Sequence, residues 1–352
     1  MRRLPLFFLL DVSESMLGDE LRKMEEGLSS IVRSLRRDPH ALETVYLSVI
    51  AFAGVARTIA PLVDLVSFYP PKLPIGSGTS LGAALNQLMV EIDRSVVKTT
   101  ADRKGDWKPI VYLFTDGKPT DAVDPAIERW NRDYARKTDL VAVALGRYAD
   151  LSVLQRLTEH VLVFEDAGEG DFSKFIQWIT ASVTMQSKGV GEGRSEGLSL
   201  AKLDDSVLAV VKDAQLPAKG AADKDCVVLA GRCQKTRKPY LIKYDRVSQT
   251  VATNDFKLDT SYYQLTVCCP VDDAYFEWSD KTASDLKANT SELAGVPGCP
   301  YCGNPSAFAR CGCGGLLCVL GPGMATCPWC EQQVRFEAGA GEEGFDVRRG
   351  RG

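Results

Sequence analysis

The pattern that most constrains the fold is an alternation, from residue 4 to about residue 186, of short apolar runs with segments of helical periodicity. The apolar run at residues 4–10 predicts a strand, and apolar side chains every three or four positions over residues 17–35 predict one face of a helix. Residues 110–114, 140–145 and 161–164 are continuously apolar, as in parallel strands that are buried on both faces. The chain is therefore predicted to begin with an α/β domain, doubly wound around a mostly parallel sheet and Rossmann-like, with ligands beyond the carboxyl ends of the strands.

The remaining elements complete this domain and set its boundaries. Residues 45–52 and 55–59 flank Ala53-Gly54 and predict one antiparallel hairpin. Further helices are predicted over residues 81–92, 122–136, 151–157 and 172–185. Residues 187–199 contain four glycines and no apolar periodicity, which indicates a flexible linker. We expect a first domain at 1–187, a linker at 188–204, a small β-rich domain at 205–337 and a disordered tail at 338–352.

Composition limits the partners and the compartment. A net charge of −4 with 25% charged residues gives no general attraction to nucleic acid or to acidic membranes. The N-terminal apolar run ends at Asp11 without a small-residue cleavage site, so it is predicted to be a strand and not a secretory signal. No segment approaches the roughly 18 apolar residues of a membrane span. A cytoplasmic location is the expectation.

Three loops of the first domain carry oxygen ligands. Asp11, Ser13 and Ser15 form an Asp-x-Ser-x-Ser turn after the first strand, Thr79 precedes a helix, and Asp116 follows the strand at residues 110–114. Carboxylates and hydroxyls suit Mg²⁺ better than a soft metal. Asp and Ser also cap helices, but capping does not explain why all three loops carry such groups.

This set of residues resembles the metal-ion-dependent adhesion site of von Willebrand factor type A domains, over about residues 4–186. The resemblance implies that the serines and the threonine place oxygens on Mg²⁺ (or Mn²⁺ or Ca²⁺), while the aspartates act directly or through water. It also implies that a carboxylate of a partner protein completes the site and that Thr79 then bonds the ion directly. Glu14, inside the motif, is expected to be a solvated carboxylate, and Asp121 is expected to cap the helix that follows it.

The second region is dominated by cysteine. All eleven cysteines lie at or after Cys226, and seven lie between Cys299 and Cys330. Cys299-x-x-Cys302 and Cys327-x-x-Cys330 are paired knuckles, which predict four thiolates around one Zn²⁺. A thioredoxin-like redox pair is disfavoured because neither knuckle opens the helix of a βαβ unit.

The three thiols between the knuckles leave alternatives open. Cys311, Cys313 and Cys318 remain free, exchange into the first site, or form a second zinc site. That second site would need a fourth ligand, and the candidates are Cys226, Cys233, Cys268 and Cys269.

The cysteine pattern resembles the TerY-C metal-binding domain, over roughly residues 205–336. A type A domain followed by this module resembles the TerY-type proteins of bacterial tellurium-resistance systems. The resemblance implies partnership with a Ser/Thr protein kinase and a PP2C-type phosphatase, and a role in stress or tellurite resistance.

We therefore expect a non-catalytic protein-interaction function. A metal-dependent hydrolase or phosphatase with Asp11 as nucleophile is disfavoured, because no second aspartate follows two residues later and no lysine or histidine base is evident. A nucleic-acid-binding zinc ribbon is disfavoured because residues 298–336 carry few basic side chains, chiefly Arg310 and Arg335.

Overall fold

The structure is a computed structural model of the 352-residue chain. It describes residues 2–102, 104–116, 118–145, 149–164, 170–191, 198, 200–202, 208–210, 225–252, 257–281, 286–337 and 344–350. The chain divides into two compact units. The first comprises Met1–Val12, Gly18–Pro74 and Thr79–Lys219, and the second comprises Ser13–Leu17, Ile75–Gly78 and Gly220–Gly352.

The first unit is an α/β sandwich. Its elements are β1 (Leu4–Asp11), α1 (Asp19–Leu35), α2 (Pro39–Thr44), β2 (Val45–Phe52), β3 (Ala56–Asp64), α3 (Leu81–Ser95), β4 (Ile110–Thr115), α4 (Asp124–Asp133), β5 (Asp139–Leu145), α5 (Leu151–Gln155), β6 (His160–Phe164), α6 (Asp171–Gly191) and β7 (Leu208–Val210). The strand order is β3-β2-β1-β4-β5-β6-β7, parallel from β2 to β6 with an antiparallel strand at each edge. The predicted mostly parallel sheet is confirmed.

Helices cover both faces of this sheet. Phe7 and Leu9 of β1 belong to a buried cluster that includes residues of α3, α4 and α5. Phe8, which points to the opposite face, lies 6.3 Å from Phe114, and Phe114 lies 5.9 Å from Phe175 of α6, measured between ring centroids. Successive residues of a strand point to opposite faces, so a fully apolar strand is what a sheet between two helical layers requires.

Two boundaries differ from the sequence expectation. Helix α6 continues to Gly191, inside the segment predicted as linker. Residues 208–210, which were predicted to belong to the second domain, form β7, which pairs antiparallel with β6 and becomes the edge strand of the first sheet. Residues 192–197, which belong to the predicted linker, lie outside the described residues.

The second unit is rich in short strands. Besides a 3-10 helix (Glu14–Met16), its elements are β8 (Cys226–Arg232), β9 (Pro239–Ala252), β10 (Lys257–Pro270), α7 (Ala274–Trp278), β11 (Lys287–Asn289), a second 3-10 helix (Thr290–Glu292), β12 (Leu293–Ala294), β13 (Ser306–Arg310), β14 (Leu316–Val319), β15 (Gly323–Thr326), β16 (Gln333–Phe336) and β17 (Asp346–Arg348). One sheet has the order β12-β10-β9-β8-β14-β13, and β11–β17 and β15–β16 form two small pairs. The predicted β-rich second domain is confirmed.

The central strand β9 presents different side chains to its two faces. Tyr240, Ile242 and Tyr244 pack in one buried cluster with several of the cysteines. Leu241, which alternates with them, packs in another buried cluster with Leu17. The period of two thus places Cys233, Cys299 and Cys318 on one side of β9, and Leu17 with Cys226 on the other.

The tail differs from the expectation of disorder at 338–352. Strand β17 pairs antiparallel with β11, so residues 346–348 are part of the fold. Residues 338–343 and 351–352 lie outside the described part of the chain. Among the described residues, no helix combines the length and the apolarity that crossing a membrane requires.

Candidate metal centres

The two predicted aspartates of the oxygen site lie at one edge of the first sheet. Asp11 is the last residue of β1 and Asp116 follows β4, and these strands are parallel neighbours with Leu10 opposite Phe114. Asp11 is fully buried and Asp116 is 9% exposed. Because parallel strands end at the same edge of a sheet, the topology places these carboxylates at neighbouring strand ends.

Hydrogen bonds orient both carboxylates. Thr115 Oγ1 donates to Asp11 Oδ2 at 2.6 Å, which links the end of β4 to the end of β1. The backbone N–H of Lys118 donates to Asp116 Oδ1 at 3.2 Å. Buried carboxylates that are already oriented by donors need little rearrangement to accept a cation.

The loop that carries Thr79 is tied to the loop after Asp116. The Thr79 N–H donates to Thr120 Oγ1, and the Thr120 N–H donates to the Thr79 carbonyl, both at 2.9 Å. The carboxylate of Asp121 accepts from the N–H groups of Gly82 at 3.1 Å and Ala83 at 2.9 Å. Asp121 therefore caps α3 and not the helix that follows it, because the fold brings the start of α3 to this loop. The backbone N–H and carbonyl of Thr79 are therefore both fixed by hydrogen bonds to Thr120.

The two predicted serines lie in the second unit. Ser13 is buried, and its Oγ lies 2.9 Å from Ser15 Oγ. Ser13 occupies the N-cap position of the 3-10 helix Glu14–Met16, but its side chain makes no capping hydrogen bond. The simple capping explanation for the Asp-x-Ser-x-Ser motif therefore does not account for Ser13. Glu14, expected to be solvated, is only 1% exposed.

The cysteines form two groups of four. Cys233, Cys299, Cys302 and Cys318 form the first group, and Cys311, Cys313, Cys327 and Cys330 form the second. Within each group the Sγ atoms lie within 4.8 Å of one another. The shortest separations are 3.6 Å for Cys302–Cys318, 3.7 Å for Cys311–Cys330 and 3.8 Å for Cys313–Cys327. A tetrahedral Zn²⁺ with Zn–S bonds of about 2.3 Å requires sulfurs about 3.8 Å apart, so both groups have the dimensions of such a site.

This grouping corrects the expectation that the two knuckles share one ion. The knuckle at Cys299 is completed by Cys233 and Cys318, whereas the knuckle at Cys327 is completed by Cys311 and Cys313. The cause is the sheet register: β14 runs parallel to β8 with Leu317 opposite Arg232, so the next residues, Cys318 and Cys233, lie side by side. The two groups are interleaved along the chain.

Three turns with the same hydrogen bonds present the thiols. The N–H groups of Cys233, Cys299 and Cys327 each donate to the carbonyl five residues later, and each of their carbonyls accepts the N–H four residues later. The residue at that fourth position has a positive φ in each turn: 60° for Arg237, 71° for Gly303 and 61° for Glu331. A residue with positive φ at this position allows the chain to reverse direction within each turn.

Cys233 is the ligand candidate that spacing alone did not single out. Its turn matches the two knuckles, but the second cysteine of the knuckle is replaced by Thr236, whose N–H lies 3.4 Å from Cys233 Sγ. The N–H of Gln234 also donates to Cys318 Sγ at 3.3 Å. The sequence offers only a weak signal for this turn, because Thr236 replaces the second cysteine and Arg237 after it is not a typical turn residue. Cys226, Cys268 and Cys269, the other candidates, lie outside both groups in the described structure.

The surroundings of the thiols shift their pKa values in both directions. Burial raises the pKa of Cys311 to about 12. Burial, the largest single influence, acts to raise the pKa of Cys233, but hydrogen bonds from Thr236, Lys235 and Cys302 together outweigh it and lower the pKa of that thiol to about 7. The backbone N–H of Gln332 lowers the pKa of Cys330. Each group thus contains a thiol with a lowered pKa, which loses its proton readily. Thiols whose pKa is raised would lose their protons only when a cation binds.

The sequence profile of the von Willebrand factor type A domain matches residues 6–177, and that of the TerY-C metal binding domain matches residues 223–352. The chain carries both domains. The type A domain corresponds to the parallel sheet, and the TerY-C domain includes all eight clustered cysteines.

Curated relatives match through part of their length. Matrilin-1 of Mus musculus is 27% identical over 160 residues, covering 44% of this chain and 31% of the relative. Matrilin-3 of Gallus gallus is 28% identical over 195 residues, covering 52% of this chain and 42% of the relative. The chain thus spans less than half the length of each.

Solved structures of type A proteins are also similar to this chain. The von Willebrand factor type A protein from Catenulispora acidiphila has 15% identity and a TM-score of 0.39, over 52% of this chain and 43% of that one. Proximal thread matrix protein 1 from the mussel byssus, in a form described as having a zinc-occupied MIDAS motif, has 18% identity and a TM-score of 0.35, over 53% and 46%.

Proposed function

We propose that this chain is a non-catalytic interaction protein with two kinds of metal. In the type A domain, Mg²⁺, or Mn²⁺ or Ca²⁺ in its place, would be held by Asp11, Ser13, Ser15, Thr79 and Asp116. In the TerY-C domain, two Zn²⁺ ions would be held by the two groups of four cysteines. The type A domain would bind a carboxylate of a partner protein through its cation.

The placement of Asp11 and Asp116 at neighbouring strand ends is the observation that carries the first half of the proposal. Buried carboxylates near hydroxyls are the hard donors that Mg²⁺ prefers. A bound Mg²⁺ would supply a positive charge that attracts an anionic group. Asp11 and Asp116 partly neutralise that charge, the hydroxyls of Ser13 and Ser15 add no charge, and the fixed backbone of Thr79 limits how far its hydroxyl can move.

Sulfur donors at tetrahedral separations support zinc in the TerY-C domain. Amide donors such as the N–H of Gln234 on Cys318 stabilise thiolates and support metal-bound sulfur. With four ligands each, both sites would be closed, which is the property of structural zinc sites. Clustered thiols of this kind are maintained in a reducing compartment, which supports a cytoplasmic location.

The partners proposed are a Ser/Thr kinase and a PP2C-type phosphatase of a bacterial stress or tellurite-resistance assembly. This part rests on the TerY-C domain together with the type A domain. We propose that the adhesion site recruits one of these partners through an exposed carboxylate, without chemistry of its own.

The test is cation-dependent capture with purified full-length protein. Wild type, Asp11→Ala and Thr79→Ala would be compared for Mn²⁺ affinity by electron paramagnetic resonance, and for capture of the kinase and the phosphatase with Mg²⁺ or with chelator. We expect both variants to lose at least about tenfold in Mn²⁺ affinity and to lose capture, with two zinc ions retained. Asp19→Ala, at an exposed position of α1, is the matched control.

Two results would contradict the proposal. One is Mn²⁺ binding and partner capture that are the same in Asp11→Ala as in wild type. The other is Mg²⁺-dependent turnover of a phosphomonoester that Asp11→Ala abolishes, since this would make Asp11 a catalytic residue of a phosphatase.

A further inference from the structure

The glutamate inside the Asp-x-Ser-x-Ser motif is built into the second unit. Glu14 is 1% exposed, and both of its carboxylate oxygens accept hydrogen bonds. Tyr275 Oη donates to Oε1, and Ser77 Oγ donates to Oε2 at 2.9 Å. Tyr275 belongs to α7, 261 residues later in the chain. A buried carboxylate with two donors is held firmly, because breaking either bond leaves a buried oxygen without a partner.

The side chain of a buried lysine binds the backbone carbonyls of the same turn. Lys243, on the central strand β9, is 4% exposed, and its Nζ donates to the carbonyls of Ser15 at 2.9 Å and Leu17 at 3.2 Å. These carbonyls lie at the end of the 3-10 helix Glu14–Met16, where a positive charge is favourable. Burying an ammonium group is costly, and its contacts with these carbonyls and with Asp245 at 3.5 Å offset part of that cost.

The neighbouring segment Ile75–Gly78 is fixed in the same way. The Ser77 N–H donates to Ser279 Oγ at 2.9 Å, and the Asp280 N–H donates to the Ser77 carbonyl at 2.8 Å. A Cβ atom added to Gly76 would lie 2.6 Å from the backbone of Trp278. Ser13 forms a bridge to Gly76, so the hydroxyl pair of Ser13 and Ser15 is bordered by fixed backbone.

We propose that Tyr275 and Lys243 are positioning residues for the oxygen site. They hold the turn that presents the Ser13 and Ser15 hydroxyls, Tyr275 through the Glu14 side chain and Lys243 through the turn's carbonyls. The inference rests on the proposed function, because it assigns these residues to the same cation site. The same inference makes Glu14 the residue that anchors the motif. Because its side chain is buried in this structure, Glu14 does not face a partner protein.

The test uses full-length protein and Mn²⁺ alone as the probe. Tyr275→Phe removes one donor to Glu14, and Lys243→Met removes the donor to the turn's carbonyls. Residues that orient metal ligands typically contribute about 10- to 100-fold in affinity, so we expect each variant to bind Mn²⁺ about tenfold more weakly. Tyr244→Phe is the matched control, since its phenol is also buried and donates to the Gly295 carbonyl at 3.0 Å, away from the turn. It should change the affinity less than twofold.

Two readouts separate positioning from loss of fold. Zinc content and melting temperature should stay close to those of Tyr244→Phe, and Lys243→Arg, which keeps donors at this position, should recover part of the Mn²⁺ affinity. If Tyr275→Phe proves unstable, Ser77→Ala removes the other donor to Glu14 and should also weaken Mn²⁺ binding.

The outcomes distinguish the inference from the proposed function. If Asp11→Ala weakens Mn²⁺ binding while Tyr275→Phe, Lys243→Met and Ser77→Ala bind it like wild type, the positioning role is wrong and the cation site stands. If Asp11→Ala itself leaves Mn²⁺ binding unchanged, the proposed function fails, and the inference fails with it.

Discussion

The proposed oxygen site and the proposed thiol sites of the TerY-C domain use ligands that are positioned by different means. Asp11 and Asp116 are brought to neighbouring positions by the order of buried parallel strands. Cys299 and Cys327 are each presented by a local turn with its own hydrogen bonds. The comparison teaches that a site at strand ends can be anticipated from chain order. A site built from turns reveals its ligand types in the sequence, whereas its grouping depends on sheet register.

The largest expected effect concerns the grouping of the thiols. In this structure Cys299→Ser/Cys318→Ser damages one site, whereas Cys299→Ser/Cys311→Ser damages both. We expect the first variant to retain one zinc per chain and the second to retain none, by elemental analysis. Structural zinc contributes about 10 kcal/mol or more to folding, so the second variant should also lose the ordered TerY-C domain. Zinc absent from the first variant would instead indicate knuckles that share one ion.

The next largest effect tests whether the oxygen ligands and the thiols bind different metals. Asp116→Asn keeps the shape of the side chain but removes its charge, so we expect a loss of about 10- to 100-fold in Mn²⁺ affinity with two zinc ions retained. Calorimetric titration with Mn²⁺ would measure it, with the exposed Asp124→Asn as control. An equal loss in the control would show that general charge, and not the strand-end site, attracts the ion.

A smaller effect tests how the Thr79 loop is held. Asp121→Ala removes the acceptor for the first N–H groups of α3, which should lower the free energy of unfolding by about 1 kcal/mol. Asp124→Ala, at the first turn of α4, is the comparison, and it should cost less because Asp124 is exposed and makes no capping hydrogen bond of this kind. Chemical denaturation would measure both. A cost for Asp121→Ala no greater than that for Asp124→Ala would show that Asp121 does not stabilise α3 as a cap.

The smallest effect concerns the left-handed residue of the thiol turns. Gly303→Ala places a Cβ at φ 71°, in open space, so the whole cost is conformational and should be about 1 kcal/mol. Glu331→Gly, at φ 61°, should be neutral or stabilising, because the exposed ion pair with Arg237 that it removes contributes little. Thermal unfolding of the zinc-loaded protein would compare them. Destabilisation by both would show that the side chain of Glu331 matters more than its backbone.

The sequence predicted secondary structure best where a simple hydrophobic pattern covers a whole element. Continuous apolar runs such as residues 110–114 predicted buried parallel strands, and β4 confirms it. It was wrong for Asp121, because a cap for α3 supplied by a residue some 40 positions later leaves no local pattern. It also missed β7 and β17, whose three residues each are placed by an available sheet edge or partner strand and not by hydrophobic period.

Charge and spacing also could not show which polar groups are buried. Glu14 was expected in solvent because isolated carboxylates usually are, but Tyr275 and Ser77 provide its hydrogen bonds from distant positions. Cys233 shares its turn geometry with the knuckles but lacks their second cysteine. In both cases the missing information is long-range contact.

The two faces of β9 have a thermodynamic consequence. Tyr240, Ile242 and Tyr244 pack with the first thiol group, and Lys243 between them reaches the turn at Ser15. Under the proposed function, zinc occupancy and cation affinity become linked quantities through this strand. If zinc orders β9 and thereby favours a cation-binding form of the turn, reciprocity requires the cation to favour zinc binding by the same factor. Oxidation of the thiols would then lower the cation affinity of the proposed oxygen site, although none of the residues that bind the cation would change.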